Sequence, residues 1–313
     1  MKRRILLMMM FVASVGAFAQ NSDVLLTQQW FSRINRNPAA TGNSDDFDFF
    51  LLARNQWTGT DDAPQTYLLN AHSYYDKIHS GIGISFYYDK TGISDHQINA
   101  KLTYSYQIDL KEDMLLSFGV SAGIINKAID YSEHEWEDRG DYFEGIEKES
   151  KTAPDFDFGI EYSIPKFLFG ASITHLGKTV KNDKFSDLRA TQHHYLYARG
   201  NFPLSEKWDI TPSVVYQNVG KINTLSIGTN FFFKKQFWFG LDYRTPSPKD
   251  IFHDFDYSTL TAMLGVEFNK WRIGLAYDLP LGRLRNISKV GTAELMLSLR
   301  IPRSKVPEER FIP

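Results

Sequence analysis

The chain contains no cysteine, and this absence excludes several kinds of structure at once. Disulfide frameworks, thiolate metal sites and an amino-terminal lipid-carrying cysteine all require a thiol group. Beyond the amino-terminal segment, no stretch approaches the ~20 uninterrupted apolar residues that a membrane-spanning helix needs. An excess of one charge is also missing, because 35 basic residues nearly balance 37 acidic residues. The chain therefore lacks the basic surface that is typical of a nucleic-acid-binding protein.

Motifs for catalysis and cofactor binding are missing as well. Neither a G-x-S-x-G sequence nor a Gly-rich phosphate-binding loop occurs. The eight histidines do not follow metal-ligand spacing, and adjacent His193 and His194 would point to opposite faces of a strand. His134 lies among acidic residues, which a solvated loop explains better than a catalytic cluster. We therefore expect no enzyme activity, no cofactor and no metal site.

The first nineteen residues have the three parts of a secretory signal peptide. Lys2, Arg3 and Arg4 form a positively charged start, and a short apolar run follows from Ile5 to Val15. Ala17-Phe18-Ala19 is then a cleavage site of the A-x-A type. The alternative, a transmembrane anchor, is disfavoured because the apolar run is too short to cross ~30 Å of hydrocarbon. We expect an exported protein, and an exported membrane protein without spanning helices must be a barrel.

Aromatic residues make up 15% of the chain and recur within segments that alternate apolar and polar residues. In 271–279, Trp271, Ile273 and Leu275 share one face, and Arg272 lies on the other. We count about fourteen such segments. They lie near 47–57, 64–75, 80–90, 95–109, 113–127, 154–164, 166–176, 190–203, 207–219, 222–233, 236–245, 257–268, 270–280 and 291–301.

This pattern predicts an all-β fold, namely a transmembrane antiparallel β-barrel of about 14 strands of the outer-membrane type. Many segments reach nine residues, whereas soluble strands average ~5–6. Short and long connections alternate, as periplasmic turns and surface loops do in such barrels. Both termini would then lie in the periplasm. The alternative is a soluble β-sandwich or propeller, against which the long strands and the aromatic residues near strand ends count.

The predicted domain boundaries follow from the signal peptide and from the first and last strand-like segments. Residues 1–19 form the signal peptide, 20–46 a periplasmic amino-terminal segment, 47–302 the barrel and 303–313 a periplasmic carboxy-terminal tail. Two interpretations of 20–46 stay open at this point. The segment is either a loose periplasmic leader or a partial plug folded into the lumen. In the second case Trp30, Phe31 and Ile34 would anchor it.

Residues 37–75 combine an Asn-Pro turn with two strand-like runs that predict a β-hairpin. This stretch resembles the amino-terminal signature of the PorP/SprF family, outer-membrane proteins of the type IX secretion system. The matching residues are Asn37, Pro38, Ala39, Gly42, Arg54, Gln56, Trp57, Gly59, Pro64 and Thr66. The resemblance implies a non-enzymatic barrel that works with periplasmic and lipoprotein components. Alternatively, it anchors the carboxy-terminal domain of an exported adhesin of the gliding type.

Two groups of residues are candidates for partner binding. Arg54, Gln56 and Trp57 close the first strand, and Arg and Trp are frequent interface anchors. The alternative for this group is that Trp57 belongs to an aromatic girdle and Arg54 pairs with a lumen carboxylate. The acidic stretch 133–150 supplies the second group, Trp136, Tyr142 and Phe143, although a solubilising surface loop explains it as well. A porin or hydrophobic-solute channel is the alternative function, and an enzyme at the barrel rim is the least favoured.

Overall fold

The computed structural model describes residues 26–44, 46–59, 63–92, 94–110, 113–130, 148–177, 191–220, 222–246, 258–281 and 291–303. Its strands are β1 (Phe47–Asn55), β2 (Gln65–Tyr75), β3 (Ser80–Thr91), β4 (Asp95–Asp109), β5 (Leu115–Asp130), β6 (Lys148–Ile164), β7 (Phe167–Thr174), β8 (His193–Gly200), β9 (Phe202–Pro203), β10 (Trp208–Val219), β11 (Ile222–Phe233), β12 (Phe237–Pro246), β13 (Thr259–Phe268), β14 (Trp271–Pro280) and β15 (Thr292–Ile301). Three short 3-10 helices accompany them, η1 (Gln28–Phe31), η2 (Pro38–Ala40) and η3 (Asp76–Ile78).

The strands form a closed antiparallel β-barrel. Each strand pairs with its sequence neighbours, and β1 pairs with β15 from Phe47↔Ile301 to Asn55↔Ala293. Strands β8 and β9 both pair with β10 and together form one interrupted strand, so the barrel has fourteen. The predicted fold is thereby confirmed. Closure leaves no unpaired sheet edge. The backbone N–H and C=O groups of such an edge would find no hydrogen-bond partner in the hydrocarbon of a membrane.

The two faces of the barrel differ as the alternation predicts. Large apolar side chains are exposed on the outside, and Leu275, for example, is 52% exposed. Polar and charged side chains such as Asp157, Glu161 and Asp278 are buried inside. This is the reverse of a soluble protein and suits a wall between lipid and a polar lumen. No helix in the described part of the chain is long and apolar enough to cross a membrane.

The two ends of the barrel carry different connections. At one end, short turns join β2 to β3, β4 to β5, β6 to β7, β11 to β12 and β13 to β14. At the other end, the segments between β5 and β6, β7 and β8, β12 and β13, and β14 and β15 are long. We call these the short-turn end and the long-loop end. The alternation of connection lengths in the sequence is present in the structure.

Strands β5 and β6 differ from the sequence prediction in length. They were expected to cover 113–127 and 154–164, but β5 runs to Asp130 and β6 begins at Lys148. The pair Asp130↔Lys148 continues the ladder, so the last part of the predicted acidic loop is strand. Charged residues of low strand preference hide this extension in the sequence, whereas the partner strand supplies the hydrogen bonds that stabilise it. Strands of 16 and 17 residues exceed the ~9–11 that a bilayer requires.

Candidate functional site

Residues 26–44 lie inside the barrel, and we call this segment the plug. Thr27 contacts side chains of β14 and β15 near the long-loop end. Gly42 packs against Gly81, at the start of β3 and near the short-turn end. The plug therefore runs the length of the lumen before the chain enters β1. The described residues of this stretch thus lie within the lumen.

Buried charges hold the plug near the long-loop end. The Glu294 carboxylate accepts hydrogen bonds from the backbone N–H groups of Thr27, at 3.0 and 3.2 Å, and Gln28, at 3.2 Å. Thr27 Oγ1 donates to Asp278 Oδ1 at 3.2 Å. The Arg54 guanidinium bridges the same two carboxylates, at 2.5 Å to Glu294 and 2.8 Å to Asp278. All three charged groups are buried, so the attraction between Arg54 and the two carboxylates must offset the loss of their hydration.

Aromatic and aliphatic side chains anchor the middle of the plug. Trp30 meets the Tyr197 ring edge to face with centroids 5.6 Å apart, and Phe31 packs on Trp238 at 4.7 Å. Ile34 is fully buried. These are the three anchors that the plug interpretation of the sequence named. Phe31 packs against the apolar cluster that contains Trp238, and Trp30 belongs to a second cluster that contains Tyr197.

Two arginines of the plug occupy the lumen. Arg33 Nε donates to Glu161 Oε1 at 2.9 Å, and the Tyr197 hydroxyl also donates to that carboxylate. Both side chains are buried, so the two opposite charges compensate each other. The Arg36 guanidinium lies 4.7 Å from the ring centroids of both Trp30 and Tyr197. Arg36 stacks on these rings, and no carboxylate of the described residues forms an ion pair with it.

The Asn-Pro-Ala turn docks into a groove of glycines in the wall. The Asn37 side chain accepts from Ala39 N at 3.0 Å, and its amide donates to Ile160 O at 3.0 Å and the Tyr197 hydroxyl at 2.9 Å. A Cβ added at Gly119 would lie 2.0 Å from Ala39 N. A Cβ at Gly159 would lie 1.9 Å from Asn37 Oδ1. No larger residue fits at either wall position while the turn is in place.

The end of the plug turns sharply at Gly42. This residue has φ of +69°, and a Cβ on it would lie 2.6 Å from the Cα of Gly81. The preceding carbonyl, that of Thr41, accepts from Ser105 Oγ at 2.5 Å and Gln107 Nε2 at 3.2 Å. A left-handed conformation and close backbone contact both favour glycine. The first half of the family-like signature, Asn37 to Gly42, therefore forms the contact between the plug and the wall near the short-turn end.

The predicted partner-binding residues do not form one cluster. Arg54 points into the lumen and is buried, as the lumen-pair alternative required. Gln56 is half-buried, and its N–H donates to Pro64 O at 2.9 Å. Trp57 is exposed, with φ of +51°. Trp136, Tyr142 and Phe143 lie outside the described residues. A role of these six residues in partner binding stays a prediction.

The wall residues that receive the plug were not identified from the sequence. They include Gly119, Gly159, Glu161 and Glu294. Their partners in the plug are more than 75 positions away, and nothing local marks the pairing. Among the described residues, no group of acids and histidines could hold a metal ion. The candidate functional site is therefore the lumen of the barrel, which the plug fills.

The family follows from the sequence comparison. Residues 18–299 match the family model described as Type IX secretion system membrane protein PorP/SprF. The chain belongs to the PorP/SprF family. The match includes the plug, β1 to β14 and β15 as far as Leu299, so it covers the site as well as the wall. No curated protein sequence matches this PorP/SprF chain.

Solved structures similar to this PorP/SprF barrel are outer-membrane channels. The toluene transporter TbuX of Ralstonia pickettii has a TM-score of 0.55 at 10% identity, covering 86% of this chain and 93% of its own. The P. putida toluene transporter TodX has a TM-score of 0.52 at 12% identity, covering 86% and 93%. The CymD monoaromatic hydrocarbon channel has 0.52 at 11%, covering 88% and 92%. At such identities the similarity establishes the outer-membrane barrel fold alone.

Proposed function

We propose that this barrel serves type IX secretion by binding other proteins, and that it catalyses no reaction. Its partners are periplasmic and lipoprotein components of the secretion system, or the carboxy-terminal domain of an exported adhesin. The observation that carries the proposal is the filled lumen. A segment that runs through the barrel and is bound by buried charges closes the route that a transporter would use, which leaves the two rims as working surfaces.

The long-loop end is the outer rim in this proposal, because surface loops of outer-membrane barrels exceed periplasmic turns. Trp57 lies at this end, after β1, and its exposed ring can supply apolar contact area to a partner. Arg54 acts differently, since it fixes the end of β1 through Asp278 and Glu294. The carboxy-terminal tail after Arg303 follows β15 at the short-turn end and would lie in the periplasm.

The test is affinity purification from native membranes at equal barrel abundance. We expect Trp57→Ala, and separately a Trp136→Ala/Tyr142→Ala/Phe143→Ala variant, to recover less of a secretion component or adhesin than the wild type. Trp271→Ala is the matched control, because Trp271 is a similarly exposed tryptophan at the short-turn end. Full recovery with both variants would contradict the proposed surface.

A channel for hydrophobic solutes is the second candidate. One observation favours it, namely the apolar cluster that Leu52, Leu68, Trp238 and Met296 form on the lumen side of the wall. The plug residues Leu26 and Phe31 cover this cluster. Deletion of the gene separates the candidates. Loss of type IX export or surface display supports protein binding, whereas intact export with reduced uptake of apolar solutes supports the channel.

A further inference from the structure

We propose that the lumen is a cation-selective aqueous pore which the plug closes. In this view small monovalent cations pass when the plug leaves, whether or not the barrel also binds proteins. Three features of the structure carry the inference. They are the independence of the wall from the plug, the nature of the contacts between them, and the charge of the wall.

The barrel wall is complete without the plug. Strand β1 closes directly on β15, and every strand of the ladder lies between Phe47 and Ile301. The described plug residues contribute no strand to this sheet. Removing the plug therefore breaks no strand pair, and the closed wall retains its backbone hydrogen bonds.

The polar contacts that hold the plug can be exchanged for water. Ser172 Oγ donates to Arg36 O at 2.7 Å, Asn70 Nδ2 donates to Ser32 Oγ at 2.8 Å, and Glu161 binds Arg33. All are polar contacts between side chains of the wall and the plug, and the cysteine-free chain adds no covalent bond. When the plug leaves, water can replace each partner, so the exposed wall groups remain hydrogen-bonded.

The wall carries an excess of negative charge that the plug neutralises. Among the buried wall residues that the structure describes, four are basic, namely Arg54, Lys101, Lys127 and Arg199. Six are acidic, namely Asp155, Asp157, Glu161, Asp242, Asp278 and Glu294. The plug adds two buried arginines, Arg33 and Arg36, and no acid. With histidines neutral, these buried charges balance while the plug is in place, and removal of the plug leaves an excess of two carboxylates among them, which attracts cations.

The experiment records ion conductance in planar lipid bilayers. The variant has residues 26–44 replaced by a Gly-Ser linker of equal length, and a heat-modifiable gel shift checks that its barrel is folded. We expect the wild type to stay closed and the linker variant to conduct. In a KCl gradient its reversal potential should shift toward that of K⁺. Adding Glu161→Gln and Glu294→Gln to this variant balances the wall charges and should move the reversal potential back toward zero.

A second variant keeps the full chain. Arg33→Glu places a carboxylate against buried Glu161, and repulsion should expel the plug and raise the open fraction of the channel. The charge swap Arg33→Glu/Glu161→Arg restores the pair and should restore closure. A folded linker variant that does not conduct, or that prefers Cl⁻, would overturn the proposal. If the linker variant does not fold, an Arg33→Glu protein as closed as the wild type would overturn it.

Discussion

At the scale of single residues, the distinctive feature is that the plug is bound by charges which water does not reach. Glu294 binds the backbone of the plug, and Arg54 binds Glu294 from the wall. Removing one partner of a buried ion pair costs far more than removing one from an exposed pair, because the remaining charge stays desolvated. The two halves of the family signature, Asn37 to Gly42 and Arg54 onward, thus act at opposite ends of the same segment.

We predict that Arg54→Ala destabilises the folded barrel by about 3–5 kcal/mol, because it leaves Asp278 and Glu294 buried without their cation. The measurement is the midpoint of urea unfolding in detergent micelles. Arg300→Ala is the control, since Arg300 pairs with Asp48 but is 48% exposed, and its loss should cost about 0–1 kcal/mol. Equal unfolding midpoints for the two variants would show that the ion pairs of Arg54 with Asp278 and Glu294 do not stabilise the barrel.

The glycine groove gives a prediction about the plug alone. Gly119→Ala places a methyl group where the Ala39 amide lies, and such overpacking costs about 1–3 kcal/mol. We expect trypsin to cleave the folded variant after Arg33 and Arg36 faster than the wild type. Val120→Ala, at the next position but on the outer face, should leave this cleavage rate unchanged. Protection equal to the wild type in both variants would mean that the turn does not depend on the groove.

At the scale of the elements, alternation decides which face of a strand meets lipid. Leu275 lies in the middle of β14 and points outward, so Leu275→Arg should cost about 2–4 kcal/mol in the bilayer. Phe268→Arg also points outward but lies at the short-turn end of β13, where the cost falls to about 0–1 kcal/mol. Refolding into lipid vesicles measures both. A larger loss for Phe268→Arg would contradict the depth that this register implies.

The same alternation explains how much of the structure the sequence predicts. A period of two residues is local, so the fourteen strands and their faces can be derived, with most ends within a few residues. The interruption at Asn201 and the added length of β5 and β6 depend on partner strands, and the pattern does not reveal them. The glycine groove is harder to predict from the sequence. The reason for a glycine at positions 119 and 159 is the close approach of the turn at Asn37, which is distant in the chain.

At the scale of the whole molecule, a closed wall and a segment inside it form two separable parts. The outer face of the wall meets lipid, and its buried charges are paired with the plug inside. For this reason, the composition of the chain does not distinguish an open pore from a barrel whose lumen is filled. The plug is part of the folded structure, because it contacts residues of β2 to β8, β12, β14 and β15 inside the barrel.

The most direct test of this account is a disulfide between plug and wall in a chain that has no other cysteine. Ser32 Oγ lies 2.8 Å from Asn70 Nδ2, so Ser32→Cys/Asn70→Cys should cross-link in outer membranes under mild oxidation. Loss of maleimide labelling measures the bond. The matched control, Ser32→Cys/Leu69→Cys, uses the outward-facing neighbour and should stay reduced and labelled. Protection of the first pair alone is the predicted result, and equal labelling of both pairs would place the segment outside the lumen and contradict the account.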